Sequence, residues 1–283
     1  MNGASLQTAR RSPSRSVDPF VLTLWTDDPE VARRADAAGI ERVGIDLERL
    51  GKLERQRGLG TWISPHREED LDTVRAELTD AKLFVRVNPL HAGSAREVDH
   101  VIARGAEVVM LPMVTAPAEA REFVRLVGGS AVVVLLIEQI GAVRSICELA
   151  AVDGVDELHI GLNDLALSLG VRNRWLALAG DLAVHAGTAV RAEGKRFGLG
   201  AIGRAGDTGL PVPPGLVYAE YARTGATAAL VSRSFFRSGE DIDLAFEIAL
   251  ARAELDAWTR CSPGELAAAH GELVRCAAHA ECF

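Results

Sequence analysis

AVVVLLIEQIGAVRSICELAAVDGVDELHIG, residues 131–161, carries the fold in miniature. A near-continuous apolar run is followed by a segment of helical periodicity ending in Gly154, and then by a second β-rich run, ELHIG. A strand apolar at successive positions is buried on both faces, as the strands of a parallel sheet are. Parallel pairing in turn needs a long crossover, which the helical segment supplies. The same alternation extends outward in both directions. Upstream lie EVVML from Glu107, LFVRV from Leu83, RVGID from Arg42 and FVLTLW from Phe20; downstream lie RFGLG from Arg196 and AALVS from Ala228. PEVARRADAAG, SAREVDHVIARG and APAEAREFVRLVG fill gaps between them with helical spacing and end in Gly, as a helix C-terminus prefers. Eight strand–helix units in roughly 250 residues is the count and size of a (β/α)8 TIM barrel. A doubly wound open sheet is the competing architecture and usually has fewer strands for this length.

The barrel is expected over residues 18–260, after a polar tail at 1–17 and before a C-terminal helical extension at 261–283. DIDLAFEIALARAELDAWTR reads as a long final helix, and CSPGELAAAHGELVRCAAHA as another begun by Ser262 and Pro263. Two uses for the extension stand open: subunit contacts in a homo-oligomer, or closure of the barrel floor. Two connections exceed a simple crossover, Arg49 to His66 and Leu165 to Gly180. Both follow strands, so both belong to the carboxyl-end face where barrels keep their chemistry.

The 283 residues, nearly half of them apolar, are enough for a large core. A net charge of −8 and a pI near 5.5 argue against nucleic acid or an anionic membrane as partner, which leaves a small molecule. No stretch approaches a membrane span. The opening MNGASLQTARRSPSRS reads as a disordered tail, since its Arg/Ser bias lacks the amphipathic pattern of a transit peptide. Four scattered cysteines suit a reducing compartment, and a cytoplasmic location is expected. His270, Cys276, His279 and Cys282 lie close together, but their spacing matches no zinc pattern and fits an amphipathic helix.

The informative residues are polar ones at the ends of apolar strands. In LFVRVNP, Phe84, Arg86 and Asn88 share one side of the strand, and a guanidinium at the carboxyl end suits a carboxylate ligand. Glu138 ends the apolar run of the fifth strand, Asp164 follows the sixth, and Asp46 and Glu48 share one side of the second strand's end. Carboxylates converging at a barrel mouth with an arginine make an oxygen site for a hard cation such as Mg2+ or Mn2+. Each alone reads equally well as a rim salt bridge or cap, Asp164 as the cap of a helix beginning LALSL. The coincidence of Arg86, Glu138 and Asp164 on three strands favours the site. GLGAIG matches the dinucleotide fingerprint at Gly198, Gly200 and Gly203, but RAGDTGLPVPPG follows where a helix is required. This glycine-rich run is expected to line the substrate pocket instead.

VGIDLE, FVRVNP, VMLPMVTAPAEAREFV, LLIEQIGAV and above all IGLNDLALSLG resemble the HpcH/HpaI aldolase and citrate lyase β-subunit superfamily, from about the second strand to the seventh. The resemblance implies a barrel that binds pyruvate, oxaloacetate or an acyl-CoA thioester. Glu138 and Asp164 match its metal-binding carboxylates, and Arg86 its substrate-activating arginine. Asp46 and Glu48 match acidic residues that hold metal-bound water or neighbouring groups. Asp46 is accordingly expected among the catalytic residues, with Glu48, Asn88, Gly161, Leu162, Asn163 and Gly200 around the substrate. Where the pyruvate aldolases of this superfamily place a catalytic histidine, this chain has Arg49. The run His-x-x-x-Asp-Leu recurs later as HREEDL, so His66 is either the displaced acid/base or a residue leading into the helix REEDLDTVRAEL.

These residues imply a metal-dependent carbon–carbon lyase, or class II type aldolase, acting through a pyruvate-type enolate stabilised by the cation and Arg86. The proton-transfer group is then His66 or a metal-bound hydroxide. A Schiff-base route needs a lysine in the mouth. Lys82 and Lys195 precede the third and seventh strands, on the opposite face, which leaves Lys52 in a loop. An acyl-CoA lyase or citrate-forming condensation on the same site is the first rival. A non-catalytic barrel acting as subunit or regulator is the second.

Overall fold

Residues 19–55, 64–171, 173–236 and 242–280 are described by the structure, a computed structural model; the proposed tail 1–17 and Cys282 lie outside them. Each expected strand forms, with ends shifted by at most two residues: β1 (Val21–Trp25), β2 (Arg42–Asp46), β3 (Lys82–Arg86), β4 (Val108–Leu111), β5 (Val132–Ile137), β6 (Glu157–Ile160), β7 (Arg196–Ile202) and β8 (Ala228–Val231). All neighbours pair in parallel and β8 returns to β1, so the sheet is a closed barrel rather than an open one. Among the described residues no helix is long and apolar enough to cross a membrane.

Strand alternation divides the apolar residues into two bodies. Val85, Val109, Val133 and Leu135 turn outward into the core shared with the helices. Phe84, Val108, Met110, Val134 and Leu136 form a separate cluster inside the barrel, flanked by Trp25 and Val132. Trp25 meets Phe84 edge-on with ring centroids 5.1 Å apart. Gly44 makes room for it, since a Cβ there would come within 2.5 Å of the indole.

At the amino ends of the strands the interior becomes ionic. Arg42 donates to both oxygens of Glu157 at 3.0 and 2.8 Å, and His159 closes on the same carboxylate. Burial alone would raise the Glu157 pKa, but His159 and Arg42 outweigh it and hold it at about 2. Gly198 stands opposite His159 in the β6–β7 register, and a Cβ there would lie 2.1 Å from the imidazole. This glycine therefore serves the interior packing, not the substrate pocket expected for it.

The C-terminal extension forms the helix Pro263–His279, opened by a reciprocal Ser262–Glu265 capping box. It packs along the helices Pro214–Thr224 and Arg174–Ala179. Asn173 secures it by donating to the carbonyls of Ala277 and Ala280. Of its histidines, His270 bonds Glu220 at 2.9 Å, and His279 bonds the Arg275 carbonyl at 2.8 Å.

Removing one partner of a buried ion pair leaves the other charge uncompensated. Glu157→Gln is expected to lower the urea-unfolding free energy by about 3–5 kcal/mol. A loss below about 1 kcal/mol would show that the floor network is dispensable.

Candidate active site

The β2–β3 register sets Asp46 opposite Arg86 at the carboxyl end of the barrel. Arg86 Nε and Nη2 donate to the two Asp46 oxygens at 2.8 and 2.7 Å, the fork geometry that fixes a guanidinium in plane. Nη1 lies 3.4 Å from Glu48, and the guanidinium sits 5.5 Å from the Trp25 ring. Burial works against both ionised groups. Even so, Arg86 and Lys52 hold the Asp46 carboxyl well below its usual range, while Asp46 and Glu48 raise the Arg86 pKa.

The connection after β2 contributes more than expected. Lys52, read as a loop residue, opens the short helix Lys52–Arg55 and is buried. Its Nζ lies 2.9 Å from Asp46 and 3.1 Å from Glu48. Arg55 Nη2 bonds Glu48 at 2.5 Å, and its Nε lies 3.5 Å from Asp164. Arg49 turns its guanidinium to the carbonyls of Glu48 and His66, so the residue in the histidine's place braces the loop. Asn88 does the same from β3. Its oxygen accepts from the backbone N–H of Arg49 and Leu50 at 2.7 and 2.9 Å, and its nitrogen donates to Glu97.

Glu138 is the first residue beyond β5, and Gly161 the first beyond β6; the pairing of Ile137 with Ile160 brings them side by side. A Cβ on Gly161 would lie 2.6 Å from Glu138 Cγ and 2.8 Å from Oε1, so only glycine leaves the carboxylate its place. From the β4 end, the Met113 N–H donates to Glu138 Oε2 at 3.2 Å. Met113 adopts φ 57°, a left-handed conformation that costs a non-glycine residue about 1 kcal/mol or more. Asp164 stands in the first turn of the helix Leu162–Ser168 and is not its cap; Gly161 holds that position. Leu162 packs on Gly200, where a Cβ would meet it at 2.6 Å, and Asn163 lies half-buried beside Asp164.

Four carboxylates, Asp46, Glu48, Glu138 and Asp164, thus meet three cations, Arg86, Lys52 and Arg55. Glu138 takes the imbalance. Burial, then Glu48 and Asp164, push it from an ordinary 4.5 up to about 8 against the pull of Arg86 and the Met113 N–H. A hard divalent cation fits that donor chemistry. Among the described residues no three His, Cys, Asp or Glu side chains converge as a ready-made cage. Mg2+, however, commonly takes only one or two carboxylates and completes its shell with substrate and water.

His66 is buried behind Asp46, its Nδ1 accepting the Asp46 backbone N–H at 3.0 Å and its Nε2 lying 3.9 Å from Asp27. Burial lowers its pKa, opposed by Asp27, Asp46 and Asp70. The imidazole is therefore a neutral Nε2–H donor in this arrangement. Sequence reasoning missed Trp25, Arg55 and Met113, and missed the burial of Lys52. An aromatic closing β1, and basic residues three apart in KLER just after an acidic strand end, were the available signals.

The parallel eight-stranded barrel thus carries an acidic, arginine-bearing mouth at the carboxyl ends of its strands. The chain belongs to the HpcH/HpaI aldolase/citrate lyase family, whose model matches residues 24–204. Among solved structures, a family protein from Burkholderia cenocepacia J2315 is similar at 20% identity and TM-score 0.60, over 86% of this chain and 96% of that one. A citrate lyase β subunit from M. tuberculosis, complexed with oxaloacetate and magnesium, matches at 20% identity and TM-score 0.55, over 86% and 98%. A citrate synthase, SbnG, matches at 20% identity and TM-score 0.56, over 84% and 95%. Comparison with curated protein sequences finds no match.

Two expectations follow from the geometry. Gly161→Ala drives a methyl group into Glu138, and Mn2+ affinity measured by calorimetry should fall about 10–100-fold. The fold also favours protonated Glu138, so its contribution to metal-free stability is whole below pH 4.5 and is lost as pH rises through about 8. Glu138→Gln should therefore be the more stable metal-free protein at pH 9, by roughly 2–4 kcal/mol in urea unfolding, with little gain at pH 5.

Proposed function

We propose that the protein is a divalent-metal-dependent carbon–carbon lyase that acts on a 2-oxo acid of the pyruvate or oxaloacetate class through its enolate. The observation that carries this reading is the pairing of Glu138 and Asp164 beside an arginine already locked in orientation by Asp46. Mg2+ or Mn2+ held by those two carboxylates supplies Lewis-acid stabilisation of an enolate oxygen.

The remaining chemistry belongs to the chain. With Nε and one Nη2 hydrogen committed to Asp46, Arg86 keeps its other N–H donors for the carboxylate and 2-oxo oxygen of the substrate. Because Asp46 and Lys52 hold that arginine in advance, little reorganisation is needed as charge develops. Asp46 so acts through Arg86, and Glu48 balances Lys52 and Arg55 while standing near the ligands. Trp25 walls the mouth and keeps water from the guanidinium face. His66 braces Asp46 from behind, its Nδ1 occupied by the Asp46 N–H and its Nε2 turned to Asp27; a neutral ring in that position has no proton acidic enough for carbon, so the enolate carbon takes its proton from water, which leaves hydroxide. The same enolate serves condensation as well as cleavage, so a citrate-forming or acyl-CoA reaction would use the same residues.

Pyruvate in D2O tests the reading directly. With Mn2+ or Mg2+ the C3 protons should exchange, and EDTA should stop the exchange. Glu138→Gln should lower the rate by at least about a hundredfold. Exchange that persists in that variant, or that EDTA leaves untouched, defeats the metal-enolate reading.

A further inference from the structure

Arg55 stands where a cation-binding mouth has least use for a fixed positive charge. Its guanidinium spans two carboxylates from different strand ends, Glu48 at 2.5 Å and Asp164 at 3.5 Å. It is held there by the helix Lys52–Arg55, whose approach is pinned by the Asn88 oxygen on the N–H groups of Arg49 and Leu50. A third donor, Nη1, reaches the Leu50 carbonyl at 3.3 Å. This arginine is not needed to charge Arg86, which Asp46 already pairs with two hydrogen bonds. What Arg55 does is neutralise part of the Glu48–Asp164 side of the mouth. A carboxylate beside a guanidinium is a poorer ligand for a divalent cation, and the two cations repel each other at such separations. Lys52 is buried, whereas the Arg55 side chain is 23% exposed and has solvent to withdraw into.

We propose that Arg55 is a resident counter-cation of Asp164 which an incoming divalent cation must displace, so that this residue sets how tightly the mouth holds its metal. The inference rests on the reading of Glu138 and Asp164 as the metal-binding pair. It makes Arg55 a positioning residue: it keeps the carboxylate cluster compact and compensated without metal, and yields when metal arrives. Metal affinity and the Arg55 ion pair are then linked, each weakening the other by the same factor.

The test is Mn2+ binding by full-length wild type, Arg55→Gln and Arg55→Lys, read as the loss of the free-ion signal in electron paramagnetic resonance, with no substrate present. Arg55→Gln should tighten Mn2+ binding by about tenfold. Arg55→Lys, whose ammonium lacks the fork that spans both carboxylates, should tighten it by a smaller factor. It also carries the test if Arg55→Gln fails to fold by circular dichroism. An unchanged or weaker Kd in the folded variants overturns the displacement idea while leaving the metal site standing. Absence of Mn2+ binding in wild type and both variants at millimolar concentration overturns the metal-site reading, and this inference with it.

Discussion

The bidentate pair between Asp46 and Arg86 is the constraint around which the mouth is arranged. It depends on the β2–β3 register, for a slip of one residue would turn one member out of the barrel. Once the pair is set, its neighbours follow. Lys52 is drawn in because Asp46 has a further lone pair to fill, and Glu48 because its own backbone N–H donates to Asp46. His66 takes up the Asp46 backbone N–H from behind. The same residue thereby orients an arginine and buries a lysine through its carboxylate, and fixes an imidazole tautomer through its backbone N–H.

Glu138 and Asp164 are organised differently. Among the described residues nothing positively charged is hydrogen-bonded to Glu138; its partner is the N–H of a residue in a left-handed conformation, and its space comes from a missing side chain at Gly161. Backbone and absence of bulk position this group, which leaves its charge uncompensated and its pKa high. The contrast with Asp46, held ionised by two cations, separates the mouth into a half that is complete as it stands and a half that calls for added positive charge.

Much of this was legible in the chain. The strands declared themselves because parallel strands buried on both faces are apolar throughout, and a glutamate or arginine at the end of such a run stands out against them. Arg86, Glu138 and Asp164 stand out as candidates for that reason. The connection after β2 was not readable in the same way, since a single helical turn has no periodicity to detect; the positions of Lys52, Arg55 and His66 depend on contacts distant in sequence. Asn88 shows a different limit: strand alternation suggests the side it takes, but its hydrogen bonds go to the neighbouring loop and to Glu97, and alternation cannot say which partner a side chain will take. The glycines of β7 likewise do not declare their neighbours in sequence: Gly198 accommodates His159, and Gly200 accommodates Leu162.

Inside the barrel, Phe84, Val108, Met110, Val134 and Leu136 lie between the Arg42–Glu157–His159 cluster at one end and the mouth at the other. This apolar disc behaves as an insulator between two charged terminals. No water screens one end from the other across such a layer, so what keeps them independent is that the floor pairs its own charges, Arg42 and His159 against Glu157, and presents little net field to the mouth. The barrel can therefore alter the chemistry of its mouth over the course of evolution without renegotiating the ionic floor that helps close it.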